Sequence, residues 1–485
     1  MEADVIVVGA GPTGLAVACG LRAAGVAVRV LDGAAGPAVT SRALGLQPRG
    51  VEVLDRLGAL GDLPERALPI NKVVIAVEGR ELARLQVGLA MERLGGRTGL
   101  IISQADIEAE LRRRLAELGG TIEWGHRVTG LDLRADGVSV RLDDGSDVDA
   151  GWVIGADGAH SVVRKALNIG FPGVPLVERF LLADVHADLG RPRDAAFSWI
   201  RGIDLLAAFP LPGDDFWRVM APAPPELGDD PQRDKIVDFL GARLRTEAGG
   251  SISAVEWTSS FRIQRRLADA YRQGRVLLAG DAAHIHSPLG GQGMNTGIGD
   301  AENLAWKLAL VISGRACDSL LDTYEAERRP IAKDVLESTS GLTQIVVGEN
   351  RIARFVRDRI GVPLLNLGWV HRYIGEKASQ LQVSYRHGPL GAGRWRRLPG
   401  LRPGDRIRDR DGMYDTLGPA WALLGQEQLA DVARERLGDV VVLRGEGDAL
   451  LVRPDGHLAW RGTDAAALRA WLDGALGERE GVFAR

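Results

Sequence analysis

Three glycines, Gly9, Gly11 and Gly14, stand in the run GAGPTG, and Asp32 follows 18 residues after the last of them. Each residue type has a job at such a spacing. Gly9 lets the chain turn sharply at a strand end, Gly11 leaves backbone bare where a pyrophosphate must approach, and Gly14 lets a helix pack closely on a sheet. A helix opening at this turn offers free N–H groups and a positive partial charge to phosphates. A carboxylate at the end of the next strand can accept both ribose hydroxyls of an adenosine. A second strand-to-helix turn carries Asp157 and Gly158, and a third glycine cluster, Gly290, Gly291 and Gly293, would let backbone lie flat against an aromatic ring system. His284 and His286 are spaced i, i+2 with no nearby Cys or third His, so they are read as structural and no metal is expected.

The glycine–aspartate set predicts one dinucleotide. A second fingerprint for a pyridine nucleotide is missing: GIGDAE at 297–302 lacks the third glycine, and no CxxC pair exists. One dinucleotide therefore has a dedicated site, which points to a flavin held throughout the cycle. The two cysteines, Cys19 and Cys317, fit no zinc or redox spacing and suit a reducing compartment.

The elements that must position these residues are legible from periodicity. Residues 4–8 read as a strand, Leu15 to Ala24 as a helix ended by Gly25, and 26–31 as a second strand, a βαβ unit of a doubly wound sheet. Residues 43–60 read as helical. Ser103 is a candidate N-cap for a helix over 103–118, with Ile107, Leu111, Leu115 and Leu118 on one face. Strands are predicted at 121–124, 127–133, 138–142 and 152–155. From 171 to 270 the texture changes to strand-like segments separated by Pro- and Gly-rich turns, with one helix near 231–246. Residues 275–280 return to a buried strand, and long helices are predicted over 297–313 and 319–358. After a loop-like stretch near 385–411 come a helix at 426–436, strands at 439–444, 449–453 and 457–460, and a helix at 464–476. The fold class is thus α/β in four stretches: a first part of a Rossmann-like domain (1–170), an inserted, mainly antiparallel substrate domain (171–270), the second part of the first domain with long helices (271–384), and a C-terminal unit (385–485).

Composition excludes several classes. The chain has 485 residues, 45% hydrophobic and 26% charged, with a net charge of −4. That charge gives no general attraction to nucleic acid. No stretch reaches the 18 or so apolar residues of a membrane span. The N-terminus carries Glu2 and Asp4 instead of a basic leader, so the expected address is the cytoplasm.

Three motifs together resemble one family: GAGPTG at 9–14, GADGAHSVVR at 155–164, and GRVLLAGDAAHIHSPLGGQGMNTGIGDAENLAWKL at 274–308. In order and spacing they are similar to the single-component FAD-dependent aromatic hydroxylases with the fold of para-hydroxybenzoate hydroxylase. The tail, through LLVRPDGHLAWRG at 450–462, resembles the thioredoxin-like domain of the phenol and aromatic-polyketide hydroxylase branch, here without any cysteine. The resemblance implies FAD contacts from Gly9, Gly11, Thr13, Gly14, Asp32, Arg42, Gln104, Val128, Asp157, Asp281, Gly293, Met294 and Asn295. Asp281 would hold the ribityl chain, Arg42 the phosphates, Val128 the adenine through backbone, and the amides of Met294 and Asn295 the flavin N1–O2 edge, at a helix expected to begin after Asn295. Pro288 would stand beside the reactive flavin carbon, and Arg49 would face the ring or the substrate. Plainer readings stand beside these: Asp157 and Asp281 as helix caps, Gln104 as a solvated side chain, Arg42 as a surface arginine. Phe197, Trp199, Phe209 and Trp217 are candidate pocket residues, with core packing as the alternative. The implied activity is NAD(P)H- and O2-dependent hydroxylation of a phenolic or quinonoid polycycle, in aromatic-polyketide or antibiotic biosynthesis, through a flavin C4a-hydroperoxide. NADPH or NADH is the transient reductant, and the enzyme would act as monomer or homodimer. Baeyer–Villiger oxygen insertion and a two-electron FAD reductase are the alternatives.

Overall fold

The computed structural model describes residues 3–40, 43–69, 71–86, 88, 95–202, 204–286, 291–347, 364–391, 400–409 and 412–477, with the side chains of 174–178, 263 and 338–347 outside the description. The first strand, Ala3–Val8, lies between Val28–Asp32 on one side and Asp147–Gly155 on the other, both parallel to it. Val276–Leu278 extends the sheet beyond Asp147–Gly155, and Ile122–Trp124 extends it beyond Val28–Asp32. The chain therefore leaves the first strand in one direction and returns on its other side, which makes it the switch point of the sheet. The hairpin Val138–Leu142/Asp147–Gly155 turns at the expected DDG. One continuous apolar core holds this domain together, from Val5, Leu15 and Val30 to Leu277 and Leu304.

Most elements fall where periodicity put them, and the exceptions have local causes. Residues 43–60 divide into a short strand, Leu44–Leu46, and a helix, Pro48–Arg56. Pro48 sits at the first helical position and forces Gln47 into an extended conformation (ψ 158°), so the helix cannot start earlier. Ser103 does cap the Gln104–Glu117 helix, its Oγ accepting from the Asp106 N–H. The helix expected after Asn295 begins at Gly293 and runs to Ile312.

The second sheet has eight strands in the order 284–285, 251–267, 173–188, 216–222, 204–210, 195–201, 72–77 and 80–86. The stretch 171–270 thus supplies most of it, and the hairpin Lys72–Gln86 joins from earlier in the chain, pairing in parallel with Ala195–Arg201. Helix Arg233–Glu247 covers one face, burying Ile236, Leu240 and Leu244. The C-terminal unit forms a four-stranded sheet with Trp421–Leu424 at its heart, a strand the sequence pattern did not reveal. Val440–Leu443 runs parallel to it, and Ala449–Val452 and Leu458–Gly462 follow antiparallel. Among the described residues no helix is long and apolar enough to cross a membrane.

Candidate cofactor and active site

The carboxyl ends of the parallel strands lie in one row. Leu278 pairs beside Gly155, Gly155 beside Val8, and Val8 beside Leu31. The residues that leave those strands are Asp281, Asp157, Gly9 and Asp32. Four motifs separated by up to 270 residues of sequence are thereby brought to one edge, the place where open α/β sheets bind ligands.

At the first turn the glycines divide by cause. Gly9 has φ 105°, and a Cβ there would lie 2.4 Å from the Ala156 carbonyl oxygen. A Cβ on Gly14 would lie 2.0 Å from the Gly9 oxygen. The protein's own packing requires both. Gly11 is different: its backbone is ordinary (φ −75°, ψ 179°), and a Cβ would meet nothing within 4 Å among the described residues. Bare backbone facing open space at a helix N-terminus is the cradle a pyrophosphate needs. No side chain caps that helix, and no acid stands in its first turn. Asp32 is held in place by the N–H groups of Ala10 (2.7 Å) and Ala34 (2.8 Å), one on each oxygen.

A second helix N-terminus arrives beside the first. A Cβ on Gly297 would lie 2.3 Å from Thr13 Oγ1, and one on Gly20 would lie 2.7 Å from Ala305 Cβ. The contacts 13–297 and 20–305 advance in step, so Pro12–Ala23 and Gly293–Ile312 run parallel with their positive ends together. The second helix has no side-chain cap either and no acid in its first turn. Its amides at Gly293, Met294 and Asn295 have no intrahelical partner, because the first such bond comes from Thr296 to the Gln292 carbonyl (2.9 Å). The Asn295 side chain fixes this end: Oδ1 accepts from the Gln47 N–H (2.8 Å) and Nδ2 donates to the Gly291 carbonyl (2.9 Å). A Cβ on Gly50 would strike that Oδ1 at 2.2 Å, which explains the glycine.

The Asp281 side chain is exposed at the carboxyl edge of the sheet, with protein crowded around it. Burial pushes its carboxyl above the ordinary range, and His284 offsets this only in part. Behind it lies a closed network. Asp300 accepts from the Gly280 N–H (3.1 Å) and Arg328 Nε (2.8 Å), and pairs with His284 Nε2 (2.6 Å). His286 Nε2 lies 2.9 Å from His284 Nδ1. No group of three or more His, Cys, Asp or Glu suited to a metal occurs among the described residues. Asp300 was not singled out from its sequence, whereas Arg328 stands in EAERRP at 325–330, a run read only as helix packing and charge pairing. Their signals were present, in GIGDAE and EAERRP, but a charge in a helix announces its partner only once the helices are packed.

The remaining predicted residues are distributed as follows. Asp157 Oδ2 accepts from the N–H groups of Val162 (2.7 Å) and Val163 (3.1 Å), a helix cap, while its Oδ1 is buried with no hydrogen-bond partner among the described residues. Gln104 opens its helix and donates to Glu108 (2.7 Å). Val128 is a buried strand residue. Arg42 and Pro288 lie outside the described residues. Arg49 keeps other company than that expected. Its guanidinium is buried and donates to Glu302 (2.7 Å), Glu52 (3.2 Å) and the Asp455 carbonyl (2.7 Å).

Strand register sorts the four aromatic candidates. Phe197, Trp199 and Trp217 are buried in the core beneath helix Arg233–Glu247. Phe209 pairs directly with Arg218, and Arg218 with Asp184, so these three share the opposite face. That face meets the first domain: Arg218 donates to the Ala43 carbonyl (3.3 Å) while Asp184 holds it with two bonds of 2.7 Å. Of the four, Phe209 alone stands on the face turned to the cofactor domain.

Comparison with known proteins agrees with this arrangement. A family model described as FAD binding domain matches residues 2–339. A rifampicin monooxygenase of Streptomyces venezuelae is 37% identical, covering 97% of this chain and 99% of that protein. A 12-dehydrotetracycline 5-monooxygenase/anhydrotetracycline 6-monooxygenase of Streptomyces rimosus subsp. rimosus is 36% identical over the same shares. The crystal structure of the flavin-dependent monooxygenase PieE in complex with FAD and substrate superimposes with a TM-score of 0.83 at 25% identity, covering 98% of both chains.

Proposed function

This chain belongs to the FAD binding domain family, and from that premise we propose that it is an NAD(P)H- and O2-dependent flavoprotein monooxygenase that hydroxylates a phenolic or quinonoid polycyclic compound. The observation that carries the cofactor reading is the convergence, at one sheet edge, of two uncapped helix N-termini, the bare backbone of Gly11 and the carboxylates of Asp32 and Asp281. When bound, FAD would supply hydride acceptance from NAD(P)H and the activation of O2 for transfer of one oxygen atom to the ring.

The chain's own residues would do the rest. Gly11 and the first turn of its helix, with Thr13, would receive the pyrophosphate, and Asp32 would accept the adenosine ribose hydroxyls. Asp281 would accept the ribityl hydroxyls, which suits an exposed acid at the carboxyl edge of the sheet. The amides of Gly293, Met294 and Asn295 would bond the pyrimidine edge of the ring, and the helix end would favour negative charge there. Arg42, Gln104, Val128 and Asp157 keep their places in this reading on the family resemblance, as does Pro288 beside the reacting edge; the unpartnered Asp157 oxygen is supporting geometry. Arg49 is reassigned from the ring to the charge cluster that holds it. The face carrying Phe209, Arg218 and Asp184 would close the pocket over the ring and exclude water. The C-terminal unit is read as thioredoxin-like. Both cysteines lie outside it, so it performs no thiol–disulfide chemistry.

The named activities of the two relatives support a substrate of the aromatic-polyketide class. The test is FAD-loaded protein against a panel of phenolic polycycles, scored for substrate-stimulated NAD(P)H oxidation and then for product structure. A hydroxylated product formed only with O2 is expected. Substrate reduction without O2 would replace this reading with a two-electron reductase, and a ring-expanded ester would replace it with Baeyer–Villiger insertion.

A further inference from the structure

The C-terminal unit is joined to the first domain by a buried polar cluster instead of a surface contact. Its turn Arg453–Pro454–Asp455–Gly456 enters between three helices, and Arg453 and Asp455 are each 1% exposed. Asp455 Oδ2 accepts from Trp306 Nε1 (3.2 Å) and Asn303 Nδ2 (3.4 Å), both on the Gly293–Ile312 helix. Its carbonyl accepts from Arg49, which in turn donates to Glu302 of the same helix. Arg453 donates to both oxygens of Glu327 (2.8 and 2.9 Å), and Lys307, again on that helix, donates to Glu327 (2.8 Å). Four positions on one helix, 302, 303, 306 and 307, therefore reach the turn directly or through one shared partner.

The apolar packing agrees. Trp306 stands edge-on to Trp421 with ring centroids 5.3 Å apart, and Trp306, Leu310 and Leu320 belong to the same core as Leu423, Leu451 and Trp460. Farther along the chain, Gln380 Nε2 donates to Thr296 Oγ1 (3.2 Å), and the Tyr385 hydroxyl accepts from Arg328, the arginine that holds Asp300 and the Thr296 carbonyl. Gln380, Tyr385, Arg453 and Asp455 thus grip the helix, directly or through one partner, from its first turn to its fourth. Removing that grip would leave Glu327 without Arg453 and Trp306 without its acceptor. Glu327 would keep Lys307 and Asn303 alone, and no other acceptor for Trp306 Nε1 is found among the described residues.

We infer that the C-terminal unit is a working part of the cofactor site, with Asp455 as a positioning residue that fixes the Gly293–Ile312 helix along its axis, so that the amides of residues 293–295 stand at the right depth for the flavin; this rests on the flavin reading above. Asn303 is ten residues from Gly293, about 15 Å along a rigid helix. A shift at the anchor is carried undiminished to the N-terminus, because an α-helix yields little along its axis. The amides act on the ring only at close range, since the field of a helix end decays within the first turn. The unit therefore needs no residue of its own at the ring to influence it.

The experiment compares wild type, Asp455→Asn and Trp306→Phe as full-length proteins stripped of FAD and reloaded. Folding is verified by circular dichroism below each melting point. FAD affinity, the visible absorption band and the reduction potential of the bound flavin are then measured without turnover. Asp448→Asn, which breaks an exposed pair with Arg461 on the far side of the same unit, is the control. We expect folded Asp455→Asn to bind FAD about 5- to 10-fold more weakly, in line with the energy of a helix end acting on a charge. Its flavin band should shift and its potential should become more negative, because anionic reduced flavin loses more than the oxidised form. Trp306→Phe should move the same way, and Asp448→Asn should match wild type. Should Asp455→Asn not fold, Trp306→Phe decides. A lowered melting temperature with unchanged affinity, spectrum and potential would overturn the positioning role and leave a purely structural joint. Wild type that binds no FAD would overturn the flavin reading itself.

Discussion

Gly11→Ala separates the demands of the fold from those of the ligand. In the protein alone the new methyl group meets nothing within 4 Å among the described residues, and the backbone at position 11 is extended and open to any residue. Two small terms act on stability. Restricting the unfolded chain adds about 0.4–1 kcal/mol, and replacing Gly by Ala at an N-cap removes a similar amount. The apoprotein should therefore melt within about 1 kcal/mol of wild type. FAD binding should respond strongly, because the methyl group occupies the space a pyrophosphate needs. Losing even one charge-assisted hydrogen bond from an amide to phosphate forfeits about 1.5–3 kcal/mol, or about 10- to 150-fold in Kd. Gly14→Ala supplies the contrast. Its Cβ would lie 2.0 Å from a backbone oxygen, so it should destabilise the apoprotein by overpacking, about 1–3 kcal/mol. Calorimetric melting of the apoproteins and titration with FAD measure both quantities. Gly11→Ala with FAD affinity within threefold of wild type, or with the same loss of apo stability as Gly14→Ala, would refute the division.

Four further outcomes are expected. Asp281→Ala should weaken FAD binding with little effect on apoprotein stability, since its carboxylate serves no described structural bond; unchanged affinity by titration would remove it from the ribityl chain. Phe197→Ala should cost about 3–5 kcal/mol of stability as a core truncation, whereas Phe209→Ala should act chiefly on KM for the organic substrate; denaturant melts and steady-state kinetics would expose a reversal. Burial would raise the Glu327 carboxyl, but Arg453 and then Lys307 outweigh it and hold it at about 2. A depressed acid contributes stability that is complete above its ordinary value of 4.5 and is lost as pH falls toward about 2, roughly 3 kcal/mol in all; Glu327→Gln should be less stable at neutral pH and should flatten that acid limb, and an equally steep limb in the variant would contradict the pairing. Asp300→Asn should lower stability by about 3–5 kcal/mol, because it strips Arg328 of a buried counter-charge; a melting curve like that of wild type would show the network to be dispensable.

The parts of this protein that could be read in advance are those whose cause is local. Gly9, Gly14 and Asp32 obey a spacing imposed by one strand–turn–helix–strand unit, and Ser103 caps its helix through the N–H of Asp106, three residues on. Parity was the first thing the sequence withheld. Phe197, Trp199, Phe209 and Trp217 look alike as aromatics in strands, and only the placement of helix Arg233–Glu247 decides that three lie under it and Phe209 does not. Distance in the chain was the second. Arg49 looked like a candidate for the ring because its partners, Glu302 and Asp455, are some 250 and 400 residues away. Asp300 was hidden for the same reason. The strand Trp421–Leu424 escaped because four buried residues without alternation carry no period to read.

A flavin bound at the carboxyl edge of the first sheet is expected to transfer one atom of O2 to an aromatic substrate. The most direct measurement is product mass after turnover under ¹⁸O2 in ordinary water, and again under ordinary O2 in H2¹⁸O. We predict one ¹⁸O atom per product from the gas and none from the solvent. Product that carries label from water, or forms at the same rate without O2, would contradict transfer from O2.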